Sequence, residues 1–319
     1  MTSKRYRRAY IVGAYLPNGG TYMAYHVGRI LERDFGIPAT AVSTAGAAAD
    51  HGIHHYDLQM PQVSLAQMER DIRAEDILVV NPSFSPHQFG LRLPGFKLSY
   101  VQGFNTFALL DLKFDHYVAV SDFVAGFLRA TYAMHVPVIP AFVETHDMPA
   151  APDWAHRPER VVLPYRKGLA EVWDASFARL RELVAQSAPE IVFEEPLAGS
   201  GIAHGDLLAR LGSVRYVLSL SAAEGFGLVP LEAMAMGTLV CGYDGFGGRQ
   251  YLLPGDNCAV AAYPQIELVA ERLIAAVRDP QHSEHVAQRG RATASQYSYA
   301  AFRGAWIEEL RRALHLEPL

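Results

Sequence analysis

Short apolar runs alternate with segments of helical periodicity along the whole chain. Runs such as residues 77–81 and 214–219 are largely apolar, which is typical of strands buried on both faces of a sheet. Segments such as residues 122–133, 169–186 and 266–277 repeat apolar positions at helical spacing. The order strand, loop, helix, strand is the repeating unit of a parallel sheet. The pattern therefore predicts an α/β protein with parallel sheets.

One stretch near the middle interrupts this alternation. Residues 146–158 contain three prolines and mixed charge, with little apolar periodicity. We therefore predict a linker here, between a first domain at residues 1–145 and a second at residues 159–294. A chain of 319 residues is long enough for two domains of medium size.

Composition and charge narrow the function classes. The formal net charge of -5 and the isoelectric point near 6.2 disfavour nucleic acid as a partner. The two cysteines, the missing secretion signal and the lack of any apolar run of roughly 18 residues favour a cytoplasmic protein with reduced thiols. Lys4, Arg5, Arg7 and Arg8 form either a solvated tail or a loose, peripheral contact with an anionic membrane.

The most informative stretch is residues 219–248. A predicted strand leads into a loop with Glu224, Gly225 and Gly227, and a predicted helix at residues 228–236 follows. Glycines let a ligand approach the backbone, and the free amides and dipole of a helix N-terminus attract phosphate. The carboxylates of Glu224 and, two turns on, Glu232 can accept hydrogen bonds from sugar hydroxyls. The stretch therefore predicts a ligand that carries both phosphate and hydroxyl groups.

The string Glu-Gly-Phe-Gly-Leu, followed by Leu-Glu-Ala-Met-Ala with seven residues between the glutamates, resembles the signature of retaining GT-B glycosyltransferases of family four. This resemblance implies two Rossmann-like domains with parallel sheets that face a central cleft. It also implies that Glu224 contacts the donor sugar, Glu232 the ribose, and the loop amides the diphosphate. The donor-binding residues implied here are Glu224, Gly225, Phe226, Gly227, Leu228 and Glu232. Residues 295–319 resemble the family's terminal helix, which packs back on the N-terminal domain.

The resemblance also implies a cationic clamp for the diphosphate. Family members carry an arginine and a lysine after the first strand of the second domain, and Arg166 and Lys167 follow the strand predicted at residues 161–164. With Glu224, they are the predicted catalytic residues. Neighbours on an extended strand point to opposite faces, so we expect unequal roles. Arg166 is expected to be the stronger contact, because its planar guanidinium suits two phosphate oxygens.

Candidates in the first half are fewer. Gly19 and Gly20, in a predicted turn at residues 16–21, match a glycine pair that lies near donor phosphate or acceptor in the family; a plain turn is the alternative. The loop has no G-x-G-x-x-G fingerprint, which disfavours a dinucleotide-binding dehydrogenase. The family's cleft histidine has no counterpart in this chain, and Gln102 or Asn105 could replace it. His87 is a further candidate acceptor contact.

No metal or other cofactor is expected. His51, His54 and His55 do not have a standard zinc spacing, so a solvated or acceptor-facing loop is favoured over a metal site. The chain has no Asp-x-Asp motif, the feature that holds a divalent ion in the other main glycosyltransferase architecture.

The resemblance therefore implies a retaining, metal-independent transfer of sugar to a hydroxyl acceptor. The donor would be a UDP-, GDP- or dTDP-sugar, and the acceptor a glycan, a lipid-linked glycan or a small metabolite. Two alternatives remain open. One is a nucleotide-sugar epimerase of the same fold, and the other is a non-catalytic partner subunit that resembles a glycosyltransferase.

Overall fold

The computed structural model describes residues 6–13, 19–44, 60–81, 83–144, 148–198 and 202–318. The chain divides into two compact units. Unit 1 comprises Met1–Ala141 together with Ala300–Leu319, and unit 2 comprises Phe142–Tyr299. Each unit is built on its own parallel sheet.

Unit 1 contains a six-stranded sheet with the strand order β3-β2-β1-β4-β5-β6. Every described pairing in it is parallel. Its elements are β1 (Ala9–Gly13), α1 (Gly19–Phe35), β2 (Ala39–Ser43), β3 (Gln62–Ser64), α2 (Leu65–Asp71), β4 (Ile77–Val80), α3 (Phe89–Arg92), β5 (Phe96–Val101), β6 (His116–Ala119) and α4 (Asp122–Tyr132), with α10 (Tyr299–Leu314) added almost entirely from the C-terminal end.

Unit 2 repeats the same plan with the strand order β12-β11-β10-β7-β8, and β9 also pairs with β7. The elements are β7 (Val161–Arg166), α5 (Ala170–Ser187), β8 (Val192–Phe193), β9 (Leu197–Ala198), α6 (His204–Gly212), β10 (Tyr216–Ser219), α7 (Leu228–Ala235), β11 (Leu239–Tyr243), β12 (Ala259–Ala261), α8 (Ile266–Arg278) and α9 (Pro280–Gln296). Strands β1, β4, β10 and β11 are buried along their whole length, as apolar runs in a covered parallel sheet should be. The predicted α/β class with parallel sheets is confirmed.

Strand register in unit 2 brings three loops to one edge of the sheet. In the pairing of β10 with its neighbours, Ser219 lies beside Tyr165 of β7 on one side and Gly242 of β11 on the other. The chain therefore leaves all three strands at nearly the same level. In open parallel sheets, ligands bind at this carboxyl edge.

Two sequence predictions need correction. Helix α1 begins at Gly19, so Gly19 and Gly20 lie in its first turn and not in a turn that precedes it. The stretch predicted as a linker is, in its described part, built into unit 2. Trp154 packs in the core of that unit, and Arg157 is only 6% exposed. A proline-rich stretch without periodicity can pack through a few large side chains, which a periodicity criterion cannot detect.

Arg157 links three segments of unit 2 through side-chain hydrogen bonds. Its guanidinium donates to the carbonyls of Pro152, Val214, Met236 and Gly237, and to the hydroxyl of Thr238, at 2.9–3.2 Å. Two of these carbonyls follow the last turn of α7, where a cation also meets the negative end of the helix dipole. One side chain thus satisfies acceptors from three separate segments.

The C-terminal helix α10 is a structural part of unit 1. Trp306 is fully buried and packs edge-on against Tyr100, with ring centroids 5.0 Å apart. His116 of β6 contacts the Glu309 carboxylate at 2.5 Å. Among the described residues, no helix combines the length and apolar character required to cross a bilayer.

We expect Arg157→Met to lower the free energy of unfolding of unit 2 by about 3 kcal/mol or more, since each buried carbonyl left without a partner costs about 1–3 kcal/mol. Urea denaturation followed by tryptophan fluorescence measures this. Arg160→Met, at an exposed neighbouring arginine, is the matched control and should change little. Equal, small effects of both substitutions would contradict the bracing role of Arg157.

Candidate functional site

The loop between β10 and α7 is held by backbone pairing to the loop that follows β11. The amide of Glu224 donates to the Gly245 carbonyl at 2.8 Å, and the amide of Gly247 donates to the Glu224 carbonyl at 3.1 Å. Glycine is required for this approach: a Cβ at position 247 would lie 2.2 Å from the Gly225 carbonyl oxygen. The Glu224 backbone is thereby fixed at the carboxyl edge of the sheet.

The Glu224 carboxylate is held by one partner on each oxygen. Oε1 accepts from the Ser221 hydroxyl at 2.9 Å, and Oε2 accepts from Lys167 Nζ at 3.0 Å. Burial lowers the pKa of the Lys167 ammonium, but the charges of Glu224, Tyr165 and Glu232 and the hydrogen bond to Glu224 together raise it, and the net result is a raised pKa. The Lys167 side chain remains 46% exposed. A fully charged ammonium therefore stands at the site and is open to a ligand.

Arg166 points elsewhere. Its guanidinium makes two contacts, at 2.9 and 2.6 Å, with the Asp174 carboxylate of α5, and it lies over the Trp173 ring. Of the two predicted clamp residues, Lys167 is the one that contacts Glu224, and their relative strength toward a diphosphate stays a prediction. Arg166 is the last residue of β7, whereas Lys167 lies directly after the strand. Arg166 and Lys167 are not brought together.

The predicted phosphate loop is anchored by an aromatic cluster. Phe226 is 4% exposed, and its ring lies 5.2 Å from that of Tyr251 and 5.7 Å from that of Tyr297. The Tyr251 hydroxyl donates to the carbonyl of Gly227, which has a φ of 88° at the N-cap of α7. Phe226 therefore holds the loop from inside, directly before the N-terminus of α7. Leu228 begins α7.

Glu232 is buried in α7 and has a partner that the sequence analysis did not identify. His204, the first residue of α6, places Nε2 2.7 Å from Glu232 Oε1. Burial lowers the pKa of His204, whereas the hydrogen bond and the charge of Glu232 raise it, and the net result is a raised pKa. His204 belongs to no recognisable sequence motif, so the sequence alone did not indicate this contact.

The two carboxylates and the ammonium act on one another. The pKa of buried Tyr165 is raised to about 12, first by its burial; Lys167 lowers it, and the charges of Glu224 and Glu232 raise it. The charge of Glu232 also raises the pKa of Lys167. The structure thus brings Lys167, Glu224 and Glu232 into one electrostatic neighbourhood within unit 2.

The candidates of the first half all lie in unit 1. His87 stacks on Phe89 with centroids 5.0 Å apart. The side-chain oxygen of Asn105 accepts hydrogen bonds from the amides of Phe107 and Ala108 and so stabilises its own loop. In the described part of the chain, Gln102 Nε2 is buried and makes no hydrogen bond. Of the two amide candidates, Gln102 has the donor that is not engaged.

Metal-ligand geometry is missing from the described part of the chain, where no group of three histidine, cysteine, aspartate or glutamate side chains could hold an ion. His51, His54 and His55 lie outside the described residues. Cys241 and Cys258 are free and buried.

Comparison with known proteins places this site in a family context. Residues 201–293 match the family model described as Glycosyl transferases group 1. The matched segment contains His204, Glu224 and Glu232. It begins after Lys167, which therefore lies outside the match. The resemblance seen in the glutamate motif is confirmed over this segment. No curated protein matched the chain.

Solved structures show the fold. Anabaena HepE, solved with UDP and glucose, aligns with a TM-score of 0.76 and 14% identity over 96% of this chain and 100% of that one. Sucrose-phosphate synthase from Thermosynechococcus elongatus aligns with a TM-score of 0.68 and 15% identity, over 97% and 99% of the two chains. TarM of S. aureus aligns with a TM-score of 0.61 and 14% identity over 78% of this chain, which spans only 57% of TarM. The predicted GT-B fold class is confirmed.

We expect Gly247→Ala to lower the free energy of unfolding by about 1–3 kcal/mol, because its Cβ would collide with the Gly225 and Glu224 backbone. Gly205→Ala in α6 is the control: its Cβ meets nothing within 4 Å, so stability should hold or rise by up to about 1 kcal/mol. Thermal denaturation of both variants provides the comparison. The described loop packing is wrong if Gly247→Ala is as stable as Gly205→Ala.

Proposed function

We propose that this protein transfers a sugar from a nucleoside-diphosphate sugar to a hydroxyl acceptor. The observation that carries the proposal is the cluster of Lys167, Glu224 and Ser221 at the carboxyl edge of the unit 2 sheet, beside the glycine loop and the N-terminus of α7. The cluster offers an exposed cation and backbone amides for phosphate, together with a fixed carboxylate for hydroxyls.

The chemistry requires stabilisation of the leaving group. As the bond between the anomeric carbon and the phosphate oxygen breaks, its electron pair goes to the nucleoside diphosphate. Lys167 and the amides of residues 226–228 would meet this growing charge with groups already in place. The acceptor oxygen forms the new bond to the anomeric carbon, and its proton passes to the departing phosphate oxygen. Glu224 would orient the sugar hydroxyls and stabilise positive charge near the anomeric carbon.

We take the donor nucleotide to be UDP. The structures of HepE, TarM and the pneumococcal GtfA were solved with UDP, and HepE and GtfA also with a sugar. Glu232 would bind the ribose, since acidic side chains commonly accept hydrogen bonds from ribose hydroxyls. GDP and dTDP are the other donors to test.

We propose that unit 1 binds the acceptor. Gln102, whose buried amide donor makes no hydrogen bond among the described residues, is the proposed substitute for the family's histidine. Gly19 and Gly20 would present backbone amides in the first turn of α1. A peripheral membrane contact stays a prediction, and Arg7 of the basic N-terminal group is already engaged by Asp76.

Incubation with a panel of UDP-, GDP- and dTDP-sugars should release nucleoside diphosphate from one of them, fastest with an acceptor present. Glu224→Gln should reduce this release by about ten- to a hundredfold, because the loss of a charge-assisted contact costs about 1.5–3 kcal/mol. Its melting temperature should stay near that of the wild type. Binding of donor without release, by the wild-type protein, would instead favour the non-catalytic partner.

The finer parts of the proposal are retention and independence from metal. Proton NMR of the first product should show the donor's anomeric configuration in the new linkage. EDTA should leave the rate unchanged, since Lys167 and the loop amides supply the charge that a divalent ion would otherwise supply. A product with inverted configuration would contradict retention, and a strict Mn²⁺ requirement would contradict independence from metal. Conversion of the free nucleotide sugar to its epimer would favour the epimerase.

Lys167→Met and Arg166→Met form a matched pair that separates the two cations. We expect Lys167→Met to lower kcat/KM by about ten- to a hundredfold, with part of the loss in kcat, because the contact strengthens in the transition state. Arg166→Met should cost less than about fivefold, since its ion pair with Asp174 is exposed. A larger loss at Arg166 would restore the original expectation.

A further inference from the structure

Helix α7 carries one carboxylate among apolar side chains. All of its residues from Val229 to Ala235 are buried, and Glu232 is the one charged side chain among them. A buried ionised carboxylate is costly unless a hydrogen-bond partner compensates it. The partner must come from another element, because α7 itself offers no donor side chain.

His204 is that partner. It stands at the first position of α6, a helix that packs against α7, and its Nε2 lies 2.7 Å from Glu232 Oε1. An ionised carboxylate can only accept hydrogen bonds, so Nε2 must carry the proton in this contact. The Glu232 side chain is 10% exposed and that of His204 is 26% exposed. The contact therefore fixes one carboxylate oxygen near the surface.

The second oxygen of the carboxylate is left for a ligand. Oε2 of Glu232 makes no hydrogen bond to the described residues, and it is not among their buried atoms that lack a partner. It therefore reaches solvent. A carboxylate held by one oxygen, with the other oxygen accessible, suits a ligand hydroxyl better than a freely rotating side chain does, because the entropic cost of ordering is already met.

We infer that His204 is a positioning residue that orients Glu232 toward the ribose hydroxyls of the nucleoside diphosphate. The inference rests on the proposed function and adds to it a source of discrimination between ribose and deoxyribose. His204 acts through Glu232 and needs no contact with the nucleotide. Because the ribose is remote from the bond that breaks, the contact should contribute equally in the ground state and the transition state.

Calorimetric titration with UDP and with 2′-deoxy-UDP tests this. We expect the wild-type protein to bind UDP about tenfold or more tightly than the deoxy analogue, the usual effect of one hydrogen bond to a charged group. His204→Ala should lose most of this discrimination by weakening UDP alone. His204→Gln should retain it, because its amide can donate to Oε1 from nearly the same place.

Kinetics with the UDP-sugar add a second readout. His204→Ala should raise the donor KM by about tenfold with little change in kcat, the signature of a uniform binding contact. His285→Gln, at an exposed histidine of α9 in the same unit, is the matched control and should behave like the wild type. Melting temperatures show which variants are folded, and His204→Gln keeps the test decisive if His204→Ala does not fold.

The outcomes separate the inference from the proposed function. If the wild-type protein binds UDP but His204→Ala weakens UDP and deoxy-UDP by the same factor, the pair is structural and the inference is overturned. The same holds if His204→Gln fails to retain the discrimination. If the wild-type protein binds neither UDP nor any other nucleoside diphosphate, the proposed function itself fails.

Discussion

The site depends on a short continuation of parallel pairing beyond the ends of β10 and β11. The amide and carbonyl of Glu224 both bond to the glycine loop that follows β11, so the sheet is extended into the loop. Only glycine at position 247 permits this distance. A loop bonded in this way does not need to be ordered by its ligand. The Glu224 side chain, the start of α7 and the amides between them are therefore held in one arrangement before anything binds.

Each of the two glutamates of the site is paired with a basic side chain from another part of unit 2. Glu224 contacts Lys167, the residue directly after β7, and Glu232 contacts His204 at the start of α6. The pairs differ in what they leave available. Lys167 remains nearly half exposed, so its charge can act on a ligand, whereas the Glu232 pair is more buried and leaves one carboxylate oxygen accessible. One pair thus offers a cation and the other an acceptor.

The family match and the functional cluster do not have the same extent. The match covers residues 201–293, but Lys167 lies outside it and reaches Glu224 only because β7 pairs with β10. The likeness to HepE and to sucrose-phosphate synthase extends over nearly the whole chain at 14–15% identity. At this identity the fold is retained while most side chains differ, so residue roles have to be argued from local contacts.

The sequence by itself determined the α/β class, the buried strands within residues 77–81 and 214–219, and the position of the glutamate loop. Those features depend on local periodicity and on glycines at fixed spacing, which can be seen directly in the sequence.

Tertiary structure alone decided which side chains meet. Adjacent Arg166 and Lys167 turned to different partners, Asn105 was used within its own loop, and His204 joined Glu232 across 28 positions. It also turned the proline-rich stretch into part of unit 2, through Trp154 and Arg157. Such contacts depend on packing and register between distant segments, and no short window of sequence contains them.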